Sequence, residues 1–385
     1  MKIPNLLLFF LMAGPLLAQQ AQPILGEMPQ KFQETFLPEP EGVEVEVWVD
    51  KLHIPWSLAF LPNGDALVAQ RTGEIMRIPK GSSTPVLFHK VSDVSPIGDA
   101  GLMGMALHPE FESQPFMYLM YTYGEDKDRL TSKVIRMRIE EKGPIEDIVI
   151  VDKIPAFAIH LGGRIAFGPD GHLYIGTGDL SQPFVAQDLE SLASKILRVT
   201  AEGDIPEDNP FPGSPIYSYG HRVVQGFAWH PETGTMFNSE HGPSGAPEEG
   251  GVRYRDEVNV VHKGKNYGWP HVVGAPGLEA YEDPILSWNQ AAFPPAGMAF
   301  HQGDLFLASL AGQALLRIRF EEDGEDVIST ERWFSSELSK GTYGRFRDVT
   351  EGPDGYLYVC TSNTDGRAAL RPNDDKILRI KWRKP

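Results

Sequence analysis

Cysteine is almost missing from the sequence. Cys360 is the only one in 385 residues, which excludes an intrachain disulfide as a brace for the fold. Its place in the apolar run Leu357-Tyr358-Val359-Cys360 reads as that of a small buried hydrophobe rather than a nucleophile. Cations are also in deficit: 35 Lys and Arg stand against 52 Asp and Glu, a formal net charge of -17. That balance argues against nucleic acid or an anionic membrane as a partner, and it suits a protein handling a neutral or cationic small molecule. There is no apolar run of membrane-spanning length; the N-terminal one, from Leu6 to Met12 and on to Ala18, is too short. Helical periodicity is nearly absent as well, with only Ala186 to Lys195 patterned as a short helix. Apolar content, by contrast, is ordinary for a globular chain at 41%.

The N-terminus joins Lys2, a short apolar core and a small residue before Gln19-Gln20. This is the pattern of a secretory signal peptide over residues 1–18, cut after Ala18, and it predicts a periplasmic or secreted protein. Leu16, third before the cut, departs from the small-residue rule. Residues 19–42 are rich in Pro and Gln and read as a loose lead-in. Residues 43–385 are expected to form one domain. It opens with Val43 to Val49, whose strict alternation marks a half-buried strand.

Across that domain one pattern comes round six times: an apolar run, a Pro/Gly turn, then a second apolar run. The turns lie at Pro62, Pro109, Pro169, Pro231, Gln302-Gly303 and Pro353, separated by 47, 60, 62, 71 and 51 residues. Such spacing leaves room for one four-stranded sheet per turn plus loops of variable length, the signature of an all-β, six-bladed β-propeller. A two-sheet sandwich would not need the same turn six times. Several copies are trailed by a strand carrying Arg near its end, at Arg77, Arg198, Arg317 and Arg379, and these read as the outer strands of blades. The final strand, Lys376 to Trp382, is the expected pairing partner of Val43 to Val49, which would close the ring.

The third copy carries the most chemistry. Two short β-type runs, Arg164 to Phe167 and His172 to Ile175, flank the turn Gly168-Pro169-Asp170-Gly171, where Pro fixes φ and Gly accepts a positive one. His160 precedes the first run and Asp179 follows the second, so antiparallel pairing brings both to one end of the hairpin. An imidazole beside a carboxylate is how a general base is oriented; spacing alone leaves a loop or core histidine open as well. Further polar, Gly-rich stretches sit where other blades begin or end. They are Gly220-His-Arg222 with Gln225, Ser239-Glu-His-Gly242-Pro243, Asp256-Glu257, Asn266-Tyr267-Gly-Trp-Pro270 and Arg345-Phe-Arg347-Asp348.

Together with Gly101-Leu-Met-Gly, Leu107-His-Pro109, Gly163-Arg164, Lys195-Ile-Leu-Arg198, Asp208-Asn-Pro-Phe211 and Thr361-Ser-Asn-Thr-Asp-Gly-Arg367, these stretches resemble the soluble quinoprotein glucose and aldose sugar dehydrogenases. The resemblance runs from about Ile54 to Trp382. It implies pyrroloquinoline quinone (PQQ) and Ca²⁺ as cofactors, an aldose substrate oxidised at the anomeric carbon to a lactone, and an external electron acceptor. It implies His160 as general base, Asp179 as the carboxylate that orients it, and Arg222 near the reacting oxygens. Arg222, Gln225, Arg345 and Arg347 would hold the cofactor, with bidentate guanidinium groups suited to a planar anion. Asp99 stands on the cofactor side where the family commonly has Gln. The backbone carbonyls of Gly242 and Pro243 would ligate the cofactor-bound calcium, and Glu257 and Tyr267 match positions that bind calcium in aldose-type members.

The chain departs from the family at four contact positions. Val223 replaces an Asn, Asp99 a Gln, and Ala311 and Ala292 stand near the places of a Lys and a Thr. Two functions therefore follow from the sequence: an exported quinoprotein that oxidises aldoses, or a propeller of the same fold that binds a sugar or a protein without redox chemistry.

Overall fold

Each of the six repeated segments begins an antiparallel sheet, and the six sheets stand around one axis as the blades of a β-propeller. The computed structural model describes residues 22–27, 33–126, 129–141, 143–322 and 324–383; the proposed signal peptide lies outside them. Among the described residues the only helical elements are the 3-10 turns Pro183–Gln187 and Pro247–Glu249, and no helix is long and apolar enough to cross a membrane.

All six Pro/Gly turns join the first strand of a blade to its second. In blade three these strands are Gly162–Phe167 and Leu173–Thr177, in blade four Val224–Trp229 and Met236–Glu240, and in blade six Phe346–Glu351 and Leu357–Thr361. Second strands are buried on both faces, because every blade is covered by a neighbour on each side. This is why they read as unbroken apolar runs rather than alternating ones. Among the described residues, six core clusters accordingly lie one at each blade interface, and a seventh, smaller one joins Ala186, Val252, Trp269 and Val273. Between blades one and two, for instance, Leu67, Ala69 and Ile75 pack on Leu102, Met105 and Leu119.

The strands ending in Arg are third in their blades, each covered by a fourth, and so are not the outermost strands. Their Arg reaches back to the Asp of the turn. Arg77 Nε donates to Asp65 at 2.7 Å and Arg198 Nε to Asp170 at 2.9 Å, Arg317 pairs with Asp304, and Arg379 lies 3.8 Å from Asp354. One ion-paired staple therefore recurs in four blades, and the repeat of turn Asp and strand Arg in the sequence is its trace.

Blade six takes its fourth strand from the other end of the domain. Val43–Val49 pairs antiparallel with Ile377–Trp382, in the register Val43 to Trp382 and Val49 to Ile377, as the sequence predicted. The lead-in is less loose than its composition suggests. Gln33–Leu37 adds a parallel fifth strand to blade five beside Val327–Trp333, and Ile24–Leu25 pairs with Val272–Val273. The helix expected over Ala186 to Lys195 is replaced by the 3-10 turn Pro183–Gln187, an irregular loop and a strand starting at Lys195. The helix-like spacing of Ala186 and Ala193 arises because each small side chain packs into a different core cluster.

First strands line the axis and are stitched by polar bonds. Arg164 Nη1 pairs with Asp348 Oδ1 at 3.0 Å, Arg164 Nε donates to the Gln225 carbonyl at 2.8 Å, and the Leu58 amide donates to Asp348 Oδ2 at 3.0 Å. The ends of these strands opposite the Pro/Gly turns carry the functional residues.

Candidate active site

His160 and Asp179 meet at the open end of the blade-three hairpin, with Nδ1 and Oδ1 3.0 Å apart. His160 holds a left-handed backbone, φ 58°, uncommon for a residue with a side chain and a local cost that the surrounding structure sustains. Gly178 permits the geometry: a Cβ there would lie 2.0 Å from the His160 carbonyl oxygen. Asp179 is fully buried. Its Oδ2 accepts from Trp269 Nε1 at 3.0 Å and its Oδ1 from the Ser181 amide at 3.0 Å. Burial pushes this carboxyl up, but the His160 hydrogen bond, the Arg222 charge and the Ser181 amide outweigh it and hold Asp179 below the usual range. An ionised Asp179 accepts the hydrogen bond of Nδ1–H and leaves Nε2 as the ring's acceptor.

Arg222 arrives from blade four, brought in by the bridge between Gly178 and Val223. Its Nη2 is 3.3 Å from His160 Nε2, its Nε 3.9 Å from Asp179 Oδ2, and its Nη1 donates to the His241 carbonyl at 3.1 Å. His160, Asp179 and Glu249 offer ligand atoms within 4.8 Å of one another, a spacing that suits a metal ion. The guanidinium of Arg222 already sits among them, with Nε on Glu249 Oε1 at 2.9 Å, so the cation of this cluster is Arg222.

His160 and Arg222 line a cleft of about 500 Å³, with Asp99, Gly242, Pro243, Arg253, Asp256, Ala292, Ala311, Arg345 and Arg367 around it, while Asp179 and Glu249 are buried behind them. The volume is within the range of small-molecule sites. Arg345 pairs with buried Asp365 at 2.9 Å, and Asp99 pairs with Arg367 at 2.6 Å. Gln225 and Arg347 lie outside the cleft lining and bond to each other, Arg347 Nη1 donating to Gln225 Oε1 at 2.8 Å. Among the described residues Arg347 forms no direct ion pair, and burial, then the Arg345 charge, outweigh the attraction of Asp365 and Asp99 and bring its pKa down to about 9. The Nε of Arg347 and Nη2 of Arg164 are buried without a hydrogen-bond partner, so positive charge and donor capacity here exceed what the protein uses.

Gly242 and Pro243 also border a second, small space of about 20 Å³, shared with Glu240, Glu257 and Tyr267. That is room for a single water or ion. Burial and then the neighbouring Glu240 charge push the Glu257 carboxyl well up, the condition a bound cation relieves. Gly242 is obligatory, since a Cβ would lie 2.3 Å from the Tyr254 and Arg255 carbonyl oxygens. The Tyr267 hydroxyl donates to the Val260 carbonyl at 2.7 Å, which leaves the Tyr267 carbonyl as its available ligand. A larger groove of about 740 Å³ opens at the turn face beside Pro62 and Pro353. Its Arg379 is paired with Glu46 and Asp354, and it holds no histidine.

Of the residues singled out in the sequence, His160, Asp179 and Arg222 thus come together, Asp99 and Arg345 join them across the cleft, and Gln225 and Arg347 lie behind. Gly242 and Pro243 separate the cleft from the small cavity that contains Glu257 and Tyr267. Sequence reasoning did not find Glu249, nor the part Trp269 plays in holding Asp179.

A family model described as glucose/sorbosone dehydrogenase matches residues 52–371. The aldose sugar dehydrogenase YliI of Escherichia coli strain K12 is 33% identical over 358 residues, 85% of this chain and 92% of that protein. Among solved structures, a Thermus thermophilus protein assigned as an oxidoreductase (glucose dehydrogenase) is similar at 46% identity with a TM-score of 0.81, over 88% of this chain and 100% of the other. The PQQ-bound aldose sugar dehydrogenase of Streptomyces coelicolor is similar at 36% identity and a TM-score of 0.78, over 89% and 99%.

Proposed function

The chain belongs to the glucose/sorbosone dehydrogenase family, and on that premise we propose that it is an exported quinoprotein oxidising the anomeric carbon of aldose sugars to lactones with PQQ and calcium. The observation that carries this reading is a histidine tied by one ring nitrogen to a buried ionised aspartate while its ring lines a cleft walled with arginine. When bound, PQQ supplies the acceptor for the hydride of the anomeric carbon, with calcium as a Lewis acid upon it.

Arg222 and Arg345 in the cleft wall suit a planar polycarboxylate, and Arg347, outside the lining and beside Arg345, would add positive charge on the same side. The carbonyls of Gly242 and Pro243 and the carboxylate of Glu257 are hard donors of the kind calcium prefers. His160 Nε2 takes the proton of the anomeric hydroxyl. Asp179, fixed by Trp269 and Ser181, keeps the ring oriented and stabilises the imidazolium that forms. Arg222, 3.3 Å from that nitrogen, faces the oxygen on which negative charge develops. The two electrons leave to an external acceptor.

A second reading, a propeller that binds a sugar or protein without redox chemistry, is favoured by Ala292 and Ala311 in the cleft lining and by the engagement of Asp99 with Arg367. Reconstitution decides between them: PQQ and Ca²⁺ are added to the purified apo protein and aldose-dependent reduction of an artificial acceptor dye is followed. Turnover supports the quinoprotein. PQQ uptake without aldose oxidation overturns the substrate class, and absence of uptake leaves the binding protein.

Calcium should also stabilise the fold, since a ligand bound only by the native state adds about 2.7 kcal/mol at roughly 100 times its Kd, equivalent to a few degrees of Tm in a chain of this size. Thermal melts before and after chelation, with removal of the ion verified, measure it; coincident melts would argue against a structural metal.

A further inference from the structure

We propose that Glu249 is the positioning residue of this site, one carboxylate that fixes Arg222 against His160 and ties down the loop carrying Gly242 and Pro243. The inference rests on the reading of His160 as base and of those carbonyls as metal ligands. Glu249 closes the 3-10 turn Pro247–Glu249 in the connection between the second and third strands of blade four. Six donors converge on it. Oε1 receives Nε of Arg222 at 2.9 Å and also Nη2. Oε2 receives the amides of Ser244 at 2.8 Å, Gly245 at 3.1 Å and Ala246 at 3.2 Å, and the Ser244 hydroxyl at 2.9 Å.

Glu249 is 3% exposed, far more buried than a solvated loop carboxylate. Burial pushes its carboxyl up, while Arg222 and the Ser244 donors bring it below the usual range, so the hub is anionic whenever the protein is folded at neutral pH. Its partners come from separate parts of the site. Arg222 leads into the first strand of blade four and reaches His160 of blade three, whereas Ser244 directly follows Pro243 and is bridged to Arg253 at the far end of the loop. The base side and the metal side of the cleft thus share one anchor. Displacing Glu249 should shift both at once, and misplacement by about 1 Å is enough to cost on the order of a hundredfold in rate.

The test uses the full-length chain with Glu249→Gln, Glu249→Asp and Arg222→Met, and with the Glu249→Gln/Arg222→Met double variant. Glu249→Gln should lower kcat of the PQQ-reconstituted enzyme roughly ten- to a hundredfold with the aldose KM within a few-fold, and Glu249→Asp should recover part of the loss. Once Arg222 is Met, adding Glu249→Gln should change kcat by less than about threefold, the non-additivity expected of residues acting as a unit. Amide hydrogen exchange on the unliganded protein is the readout that needs no turnover. Arg222→Met alone should speed exchange at Ser244, Gly245 and Ala246 by roughly tenfold or more, with the blade cores unchanged. Faster loop exchange in a protein that oxidises no aldose would leave the anchor standing and remove the sugar reading. Unchanged exchange in Arg222→Met, or kcat losses that simply multiply in the double variant, would overturn the shared anchor.

Discussion

His160→Gln should lower aldose turnover by roughly 10²–10⁴, the range removed with a general base, and leave PQQ affinity within a few-fold of wild type. The amide can still hydrogen-bond to Asp179 but cannot accept the proton of the anomeric hydroxyl. Asp179, Arg222 and Trp269 remain to hold the pocket, since Asp179 keeps its bonds from Trp269 and the Ser181 amide. Steady-state dye reduction with saturating aldose gives the turnover, and quenching of intrinsic fluorescence by added PQQ gives the affinity. Near-wild-type turnover would remove His160 from the chemistry. A parallel collapse of PQQ binding would recast it as a cofactor contact.

Arg347→Met should do the reverse. The wild-type guanidinium is buried beside Arg345, with no direct ion pair among the described residues and with Nε unused, and it lies over the Trp56 ring at 5.3 Å. Asp365 and Asp99 offset that charge only in part, so it costs stability in the unliganded protein until an anion arrives. Methionine fills much of the same volume without the charge. The unliganded variant should therefore melt no lower than wild type, while its Kd for PQQ rises roughly ten- to a hundredfold, as loss of about 1.5–3 kcal/mol of attraction between charges several ångströms apart at an effective dielectric of roughly 20 requires. At saturating PQQ its kcat should stay close to wild type. A lower melting temperature with unaltered PQQ affinity would make Arg347 a packing residue.

The hairpin chemistry was legible because it is local. Pro169 and Gly171 fix the turn, and from the turn the meeting of His160 with Asp179 follows by strand pairing alone. Ring closure was legible for a similar reason: Val43 to Val49 alternates as a strand with one open face must, and Ile377–Trp382 offers the complementary edge. Glu249 was not legible, because Pro247-Glu248-Glu249-Gly250 has the composition of a solvated turn. Its burial depends on Arg222, 27 residues earlier, and a carboxylate at that distance leaves no periodic mark. Arg77, Arg198, Arg317 and Arg379 were visible as a repeat but misplaced within their blades, since an outer strand and a third strand carry the same local pattern. Their meaning lay in the turn aspartates, which the blade geometry brings beside them.

The pairing of Val43–Val49 with Ile377–Trp382 makes the final blade a clasp whose two halves are synthesised at opposite ends of the propeller domain. Blades one to five can collapse as their strands emerge, but the last interfaces, between blades five and six and between six and one, wait for both halves. The ring therefore stays an open arc until Ile377–Trp382 is made, and contacts of such long sequence separation form late. The same clasp links the first and last strands of the ring in the finished protein, so loss of either strand exposes apolar faces on blades on both sides of the gap, and the ring should come apart as a whole.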